Sequence, residues 1–261
     1  MKAVLTAVVV WIAGVGFALA VPKSSLEYEG LVGPVQKVET RSPSLTDLGR
    51  TQSERRLKLD DIKIFDRAGN LVELQEFRWN GALRVRQVIA YDSRGYQSEL
   101  IEYRPDGTVN TTLKGDFDVN RNMYLFTVYN SDGSAHFKST TLLDNDGNIV
   151  EVKAFRLDGT LIKMTISTYG PSGKMIRQKG FYADRLFSKV FFKYDIKGHL
   201  RERTFHWMVG KKHMEHTRFQ YDFDSRGNWI SRVGSRRTRF SDGEEIIERD
   251  EITRRVISYF D

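Results

Sequence analysis

Glycines recur along this chain at nearly constant spacing. Gly69, Gly81, Gly95, Gly107, Gly133, Gly147, Gly159, Gly173, Gly198 and Gly210 fall on a ruler that steps by 12 and 14 residues in turn. Arg121 and Arg185 stand at two of the marks, and Gly227 follows a longer insert. The unit is therefore a double repeat of about 26 residues, which predicts many short strands joined by tight turns. Four residues before the marks stand aromatics: Phe65, Phe77, Tyr91, Tyr103, Phe117, Tyr129, Phe155, Tyr169, Phe181, Tyr194 and Phe223, with Leu143 and His206 as exceptions. In one half of the unit an aspartate lies three before the mark: Asp66, Asp92, Asp118, Asp144, Asp195 and Asp224, with Gly170 breaking the series. In the other half Asp106, Asp132 and Asp158 directly precede their glycines.

This spacing has a direct physical reading. An aspartate opening a type I turn accepts hydrogen bonds from backbone N–H groups two and three residues on. The glycine then takes the positive φ that closes a hairpin with a bulge. The structural turn set is Asp66 with Gly69, Asp92 with Gly95, Asp106 with Gly107, Asp132 with Gly133, Gly147, Asp158 with Gly159, Asp195 with Gly198, and Asp224 with Gly227. Leu31 to Thr40 reads as a first strand, Arg41 to Glu54 as a polar loop, and Arg55 to Phe65 as a second strand. Pro22 to Gly30 reads as a polar lead. Both faces of the later strands carry apolar weight. The predicted fold is all-β: an antiparallel β-meander of repeated hairpins, curled into a roll or open barrel, with solenoid-like neighbour contacts as the alternative. Strands this short, charged on both faces, disfavour a transmembrane barrel.

The first 20 residues read as an export signal. Lys2 is followed by apolar Ala3 to Phe17 and a small-x-small site, Ala18-Leu19-Ala20. Residues 21–261 then form one elongated domain, placed in the periplasm, at the cell surface or outside the cell. No later apolar stretch is long enough for a helical span. The chain has no cysteine, which excludes disulfides, thiolate metal sites and a lipidated N-terminal cysteine. The net charge is +7, a mild attraction for polyanions.

Candidate chemistry is sparse. The aromatic ladder is what cross-strand packing produces, but Trp79 and Trp229, at turn or strand-end positions, and Trp207, in an irregular insert, are candidates for stacking on sugar rings. Lys211, Lys212, Arg236, Arg237 and Arg239 are clustered cations suited to a polyanion. Glu73, Glu99, Glu151 and Glu202 recur four residues after their marks. Such regularity points to ion pairs with the next strand, to Arg86 or Lys163, rather than to paired catalytic carboxylates. Asp144-Asn145-Asp146-Gly147-Asn148 resembles a calcium loop but lacks its downstream acidic ligand. His213 and His216 are three apart and face opposite sides of a strand. No catalytic residue, metal or cofactor is expected.

The closing Tyr221-Asp222-Phe223-Asp224-Ser225-Arg226-Gly227-Asn228-Trp229 and the end strand Arg254-Arg255-Val256-Ile257-Ser258-Tyr259-Phe260 resemble the YD-repeat (RHS-repeat) family of exported bacterial proteins. The resemblance runs from about Leu31 to Phe260. It implies hairpin repeats forming curved sheets, with carbohydrate binding or cell-surface contact. The expectation is a small stand-alone, non-enzymatic exported protein binding a glycan or an envelope protein. The alternatives are a salt-sensitive polyanion binder and an envelope hydrolase housed between Gly210 and Gly227.

Overall fold

The computed structural model describes residues 24–43, 56–210 and 212–261. The predicted signal segment, residues 1–20, and Lys211 lie outside the described residues. A helix, α1 (Ser25–Glu29), precedes sixteen strands. They are β1 (Val35–Pro43), β2 (Leu57–Phe65), β3 (Leu71–Phe77), β4 (Leu83–Tyr91), β5 (Gln97–Tyr103), β6 (Val109–Asp118), β7 (Met123–Asn130) and β8 (Ala135–Leu143). The chain continues through β9 (Ile149–Phe155), β10 (Leu161–Tyr169), β11 (Met175–Tyr182), β12 (Arg185–Tyr194), β13 (Leu200–Trp207), β14 (His213–Phe223), β15 (Trp229–Phe240) and β16 (Glu245–Tyr259). Every strand pairs antiparallel with its chain neighbours, as a meander requires. The ring then closes: β1 pairs with β16, Val38 opposite Ile257 and Glu39 opposite Val256. Closure leaves no sheet edge, which excludes the solenoid alternative.

The turns follow the predicted chemistry with one change. At Asp118, where Arg121 stands at the mark, the aspartate accepts from the N–H groups two and three residues on, Asn120 and Arg121; at the Asp–Gly turns it accepts from those two and four on. Asp92 takes Arg94 and Tyr96, Asp195 takes Lys197 and His199, and Asp224 takes Arg226 and Asn228. The N–H three residues on belongs to the glycine and donates instead to the aspartate carbonyl, as Gly95 does to Asp92 at 3.0 Å. Gly69, Gly95, Gly107, Gly133, Gly147, Gly159, Gly198 and Gly227 hold φ between 75° and 88°. Where arginine stands at a mark, a neighbour takes the left-handed position: Asn122 at φ 50° for Arg121 and Ala183 at φ 51° for Arg185. Arg185 itself opens β12 behind a two-residue turn.

The two halves of the repeat unit build the two ends of the barrel. At the Asp-turn end the pre-turn aromatics point inward. Tyr91 donates to the Leu71 carbonyl (2.9 Å), Tyr169 to Ile149 (3.0 Å), Tyr194 to Met175 (2.8 Å) and Tyr221 to Leu200 (2.8 Å). Each bond ties one hairpin to the one before it. Burial pushes the Tyr169 and Tyr194 hydroxyls up to about 12, so they stay protonated donors. In the last unit Tyr221, not Phe223, takes this role.

The polar lead is not a plain loop. Ser24 caps α1 by accepting from the Glu27 N–H, Glu27 reaches back to the Ser24 N–H, and Gly30 ends the helix in the left-handed region. This Ser-x-x-Glu box was readable in the sequence. The segment closes the Asp-turn end. The Leu26 N–H donates to Gly69 O (3.2 Å), Ser25 Oγ accepts from Leu71 N (2.7 Å), the Tyr28 hydroxyl donates to Gly147 O, and the Val32 N–H donates to Asn228 (2.7 Å). The first strand correspondingly starts at Val35 rather than Leu31.

Candidate functional site

Register assigns each side chain to the inner or the outer wall. Outside, the recurring glutamates are all ion-paired: Glu73 with Arg86 (2.6 Å), Glu99 with Lys114 (3.2 Å), Glu151 with Lys153 (2.7 Å), and Glu202 with Lys193 (3.1 Å) and Arg218 (3.4 Å). The Arg86 hydrogen bond holds Glu73, and the Lys193 hydrogen bond holds Glu202, below the usual carboxylate range. They are fixed anions, not proton donors. The expected Lys163 partner is on the wrong wall: Lys163 faces Ala154 across the pair, not Glu151, and is buried.

The inner wall is mixed. From β1 to β9 it holds an apolar core, with Val38, Phe65, Leu74, Ile89, Leu100, Leu113, Tyr124, Phe126 and Val128 buried in one cluster with Leu31, and register puts Asp61, Lys63, Glu76, Gln87 and Glu102 on the same wall. Gly115 makes room here, since a Cβ would lie 2.2 Å from the Leu125 carbonyl oxygen and 2.5 Å from the Phe126 ring. From β10 to β16 the same wall is polar and aromatic. It carries Lys163, Ser167, Ser188, Arg203, Phe205, Trp207, His213, Glu215, Thr217, Phe219, Tyr221, Arg232, Arg236 and Arg255. Rings and cations alternate. Arg203 lies 5.8 Å and Arg232 5.2 Å from the Phe219 ring, and Lys163 is 5.5 Å from Phe187. Burial pulls the Lys163 ammonium below the ordinary lysine range. At the end opposite α1 the rings of Phe187, Trp207, His213 and Phe240 follow one another, with centroids 5.7, 6.5 and 5.5 Å apart. His213, Glu215 and Arg236 keep about a quarter of their side-chain surface open to solvent.

At the α1 end the charge cluster is closed. Glu29 is bonded to Lys63 and, at 3.2 Å, to Arg255. Burial opposes the Glu29 charge, but Lys63 and Arg255 outweigh it and hold the carboxyl below its ordinary range. Burial, with a smaller push from the Glu29 charge, raises the neighbouring Asp61 despite Lys63 and Arg255. Arg255 lies 3.6 Å over the Trp229 ring.

The predicted binding residues do not assemble into one patch. Trp79 is 69% exposed on the β3–β4 turn, with the Lys58 ammonium 5.1 Å from its ring. Trp229 is at the α1 end, held by Arg255 and Arg232. Trp207 is the last residue of β13 rather than part of an irregular insert, at the opposite end. The break in period after Gly210 is a lengthening of β14 and β15, not an extra element. The basic run splits by strand alternation. Arg236 turns inward, while Arg237 and Arg239 turn outward toward Glu245 at 3.7 and 3.6 Å. Lys212 is exposed, and its carbonyl accepts from Ser241. His213 faces inward and His216 outward, where it lies 3.5 Å from Glu202. Asp144 binds the N–H groups of Asp146 and Asn148 as an ordinary hairpin turn. Among the described residues no group of three acidic or histidine side chains is arranged to hold a metal ion. The sequence reading missed Arg203, Glu215 and Thr217, whose only signal is their shared strand parity with Trp207 and Arg236.

No family model matches the chain, and no curated protein matches it. Among solved structures it is similar to a porin-like protein from Bacteroides uniformis, at 11% identity and a TM-score of 0.43, over 87% of this chain and 99% of that one.

Proposed function

We propose that this chain is a non-enzymatic, exported bacterial binding protein that holds a glycan at the envelope or outside the cell. The observation that carries the reading is a row of rings beside cations on the inner wall of β12 to β15, partly open to solvent, at the end that α1 does not cover. Aromatic walls with a few placed polar groups are the usual makeup of small-molecule sites. The turn chemistry fits the YD-repeat resemblance, which adds carbohydrate contact as the expected role.

The outer wall supports an aqueous setting. Its mid-strand ion pairs circle the barrel from β3 to β14. A cation facing lipid at the bilayer midplane costs about 2–4 kcal/mol, so a lipid-facing wall of this composition would be strongly opposed. The test is binding of the purified protein to an array of neutral and acidic glycans at low and physiological salt. Hits that persist at physiological salt support the reading. Hits on every polyanion that vanish with salt point to general charge attraction, because each neutralised charge releases counterions. A silent array overturns it.

A further inference from the structure

We infer that the rings of Tyr182, Phe187, Trp207, His213 and Phe240, carried across β11 to β15 at the end that α1 leaves open, form a track for a linear, uncharged oligosaccharide lying across the strands. The inference rests on the glycan-binding reading and names the ligand class. The rings follow one another strand by strand, with centroids 4.5, 5.7, 6.5 and 5.5 Å apart. Register puts them on one wall: Tyr182 opposes the inward Lys163, Trp207 the inward Ser188, and His213 both Trp207 and Phe240. Phe187 joins them through the bulge that follows Gly180 in the β11–β12 pair. Its ring lies over Gly180, where a Cβ would stand 2.7 Å away, so the missing side chain makes its seat. None of the five rings is buried, and Tyr182 is 46% exposed. On the other arc the rings of Tyr124, Phe126 and Phe137 are all buried. Apolar surface gathered in one place and left open to solvent marks a contact surface rather than a core.

The surroundings of the row select the ligand. Neighbouring strands lie about 4.8 Å apart, so the row from β11 to β15 runs about 19 Å, more than one sugar ring covers. Behind it, Glu215 lies 3.3 Å from His213 Nε2 and 3.6 Å from Arg236, and all three keep part of their side-chain surface open. Sugar rings offer apolar C–H faces to the aromatic row and hydroxyls at their edges. The Glu215 carboxylate accepts from such hydroxyls, and the Arg236 guanidinium donates to them. The Glu215 charge is matched by Arg236 within the wall, so this layer offers hydrogen bonds without a net charge, as an uncharged chain requires. The next cation, Lys163, is buried against the Tyr182 and Phe187 rings. A wholly apolar ligand would cover Glu215 and Arg236 without giving them partners, which costs free energy.

The test is calorimetric titration of the purified protein with malto- and cello-oligosaccharides from the dimer to the pentamer, and with tri-galacturonate. In one of the two series affinity is expected to rise about tenfold from the dimer to the tetramer. Tri-galacturonate is expected to bind more weakly than the trimer of that series. Trp207→Ala should weaken the tetramer about tenfold, and Trp207→Phe should keep most of the affinity. Tyr182→Ala, at the exposed end of the row, should weaken the pentamer severalfold and leave the dimer nearly unchanged. Phe191→Ala, an exposed ring on the outer wall of β12, should leave affinity unchanged, and thermal melts of each variant report whether the fold is kept. Affinity that does not rise with length, tri-galacturonate matching the neutral trimer, full tetramer affinity in folded Trp207→Ala, or full pentamer affinity in folded Tyr182→Ala would each overturn the inference. Silence in both series would overturn it too. Beside salt-tolerant hits on the array, that silence would sink this track while leaving the broader glycan reading standing; beside a silent array, both would fall.

Discussion

The two arcs of the inner wall are built from the same repeat, yet they are filled differently. In β7 the inward residues are Tyr124, Phe126 and Val128, all buried. In β14, an equivalent strand one arc further, they are His213, Glu215, Thr217, Phe219 and Tyr221. Glycines relieve crowding in both arcs: a Cβ at Gly115 in the first would meet backbone at 2.2 Å, and in the second one at Gly180 would meet the Phe187 ring and Ser188 Oγ at 2.7 Å, while Gly234 meets side-chain atoms only at 3.1 to 3.2 Å. The repeat specifies turns and pairing. It leaves the inward positions free to vary: the first arc sets a buried apolar cluster beside Asp61, Lys63, Glu76 and Glu102, and the second sets cations beside aromatic rings.

That contrast can be broken by measurement. Phe126→Ala should cost about 3–5 kcal/mol in urea unfolding, as a buried aromatic leaving a cavity. Phe205→Ala in the second arc should cost less than half of that. Equal losses would show that both arcs are packed alike. Glu29→Gln should cost about 3 kcal/mol, because it leaves Lys63 and Arg255 buried without their shared anion. The pH dependence has a definite sign. Glu29 has a folded-state pKa below its unfolded value, so its stabilisation is present above the ordinary carboxylate range. It is lost as pH falls through the folded value. Stability of Glu29→Gln should therefore fall less steeply than wild type below about pH 4, in melts across pH. Gly115→Ala should cost about 1–3 kcal/mol through overpacking, and Gly234→Ala distinctly less, since the Phe219 ring can yield a few tenths of an ångström. The smallest effect is Tyr194→Phe. Loss of the bond to the Met175 carbonyl should cost about 1 kcal/mol, seen as a modest shift in the urea midpoint.

Much of the fold was legible because turn chemistry is local. Asp92 and Gly95 lie within one turn, and nothing distant is needed to favour their geometry. At the Asp–Gly turns the second hydrogen bond formed one residue further than anticipated, since the glycine N–H is already taken by the aspartate carbonyl; at Asp118, with Arg121 in the glycine's place, both formed where anticipated. The candidate site was far less legible. Trp79, Trp207 and Trp229 look alike as tryptophans in a strand-rich chain, but they end up on an outer turn and at opposite ends of the barrel. Arg236 and Arg237 are adjacent in sequence and face opposite walls, because side chains alternate along a strand. Lys163 was expected among surface ion pairs and is instead inside, beside Phe187.

The sequence by itself determined the local units: tight Asp-Gly turns, strands of limited length, antiparallel order and the alternation of side chains. Each depends on interactions between residues close in the chain. Only the tertiary structure decided that the ring closes through β1 and β16, and that the Ser24 to Val32 segment seals one end by reaching Gly69, Gly147 and Asn228. It alone decided which parity of each strand faces inward. Those outcomes depend on contacts between residues far apart in sequence, such as Val38 with Ile257 and Glu29 with Arg255. A repeat that is nearly the same in every unit carries no local mark of where the chain will meet its own beginning.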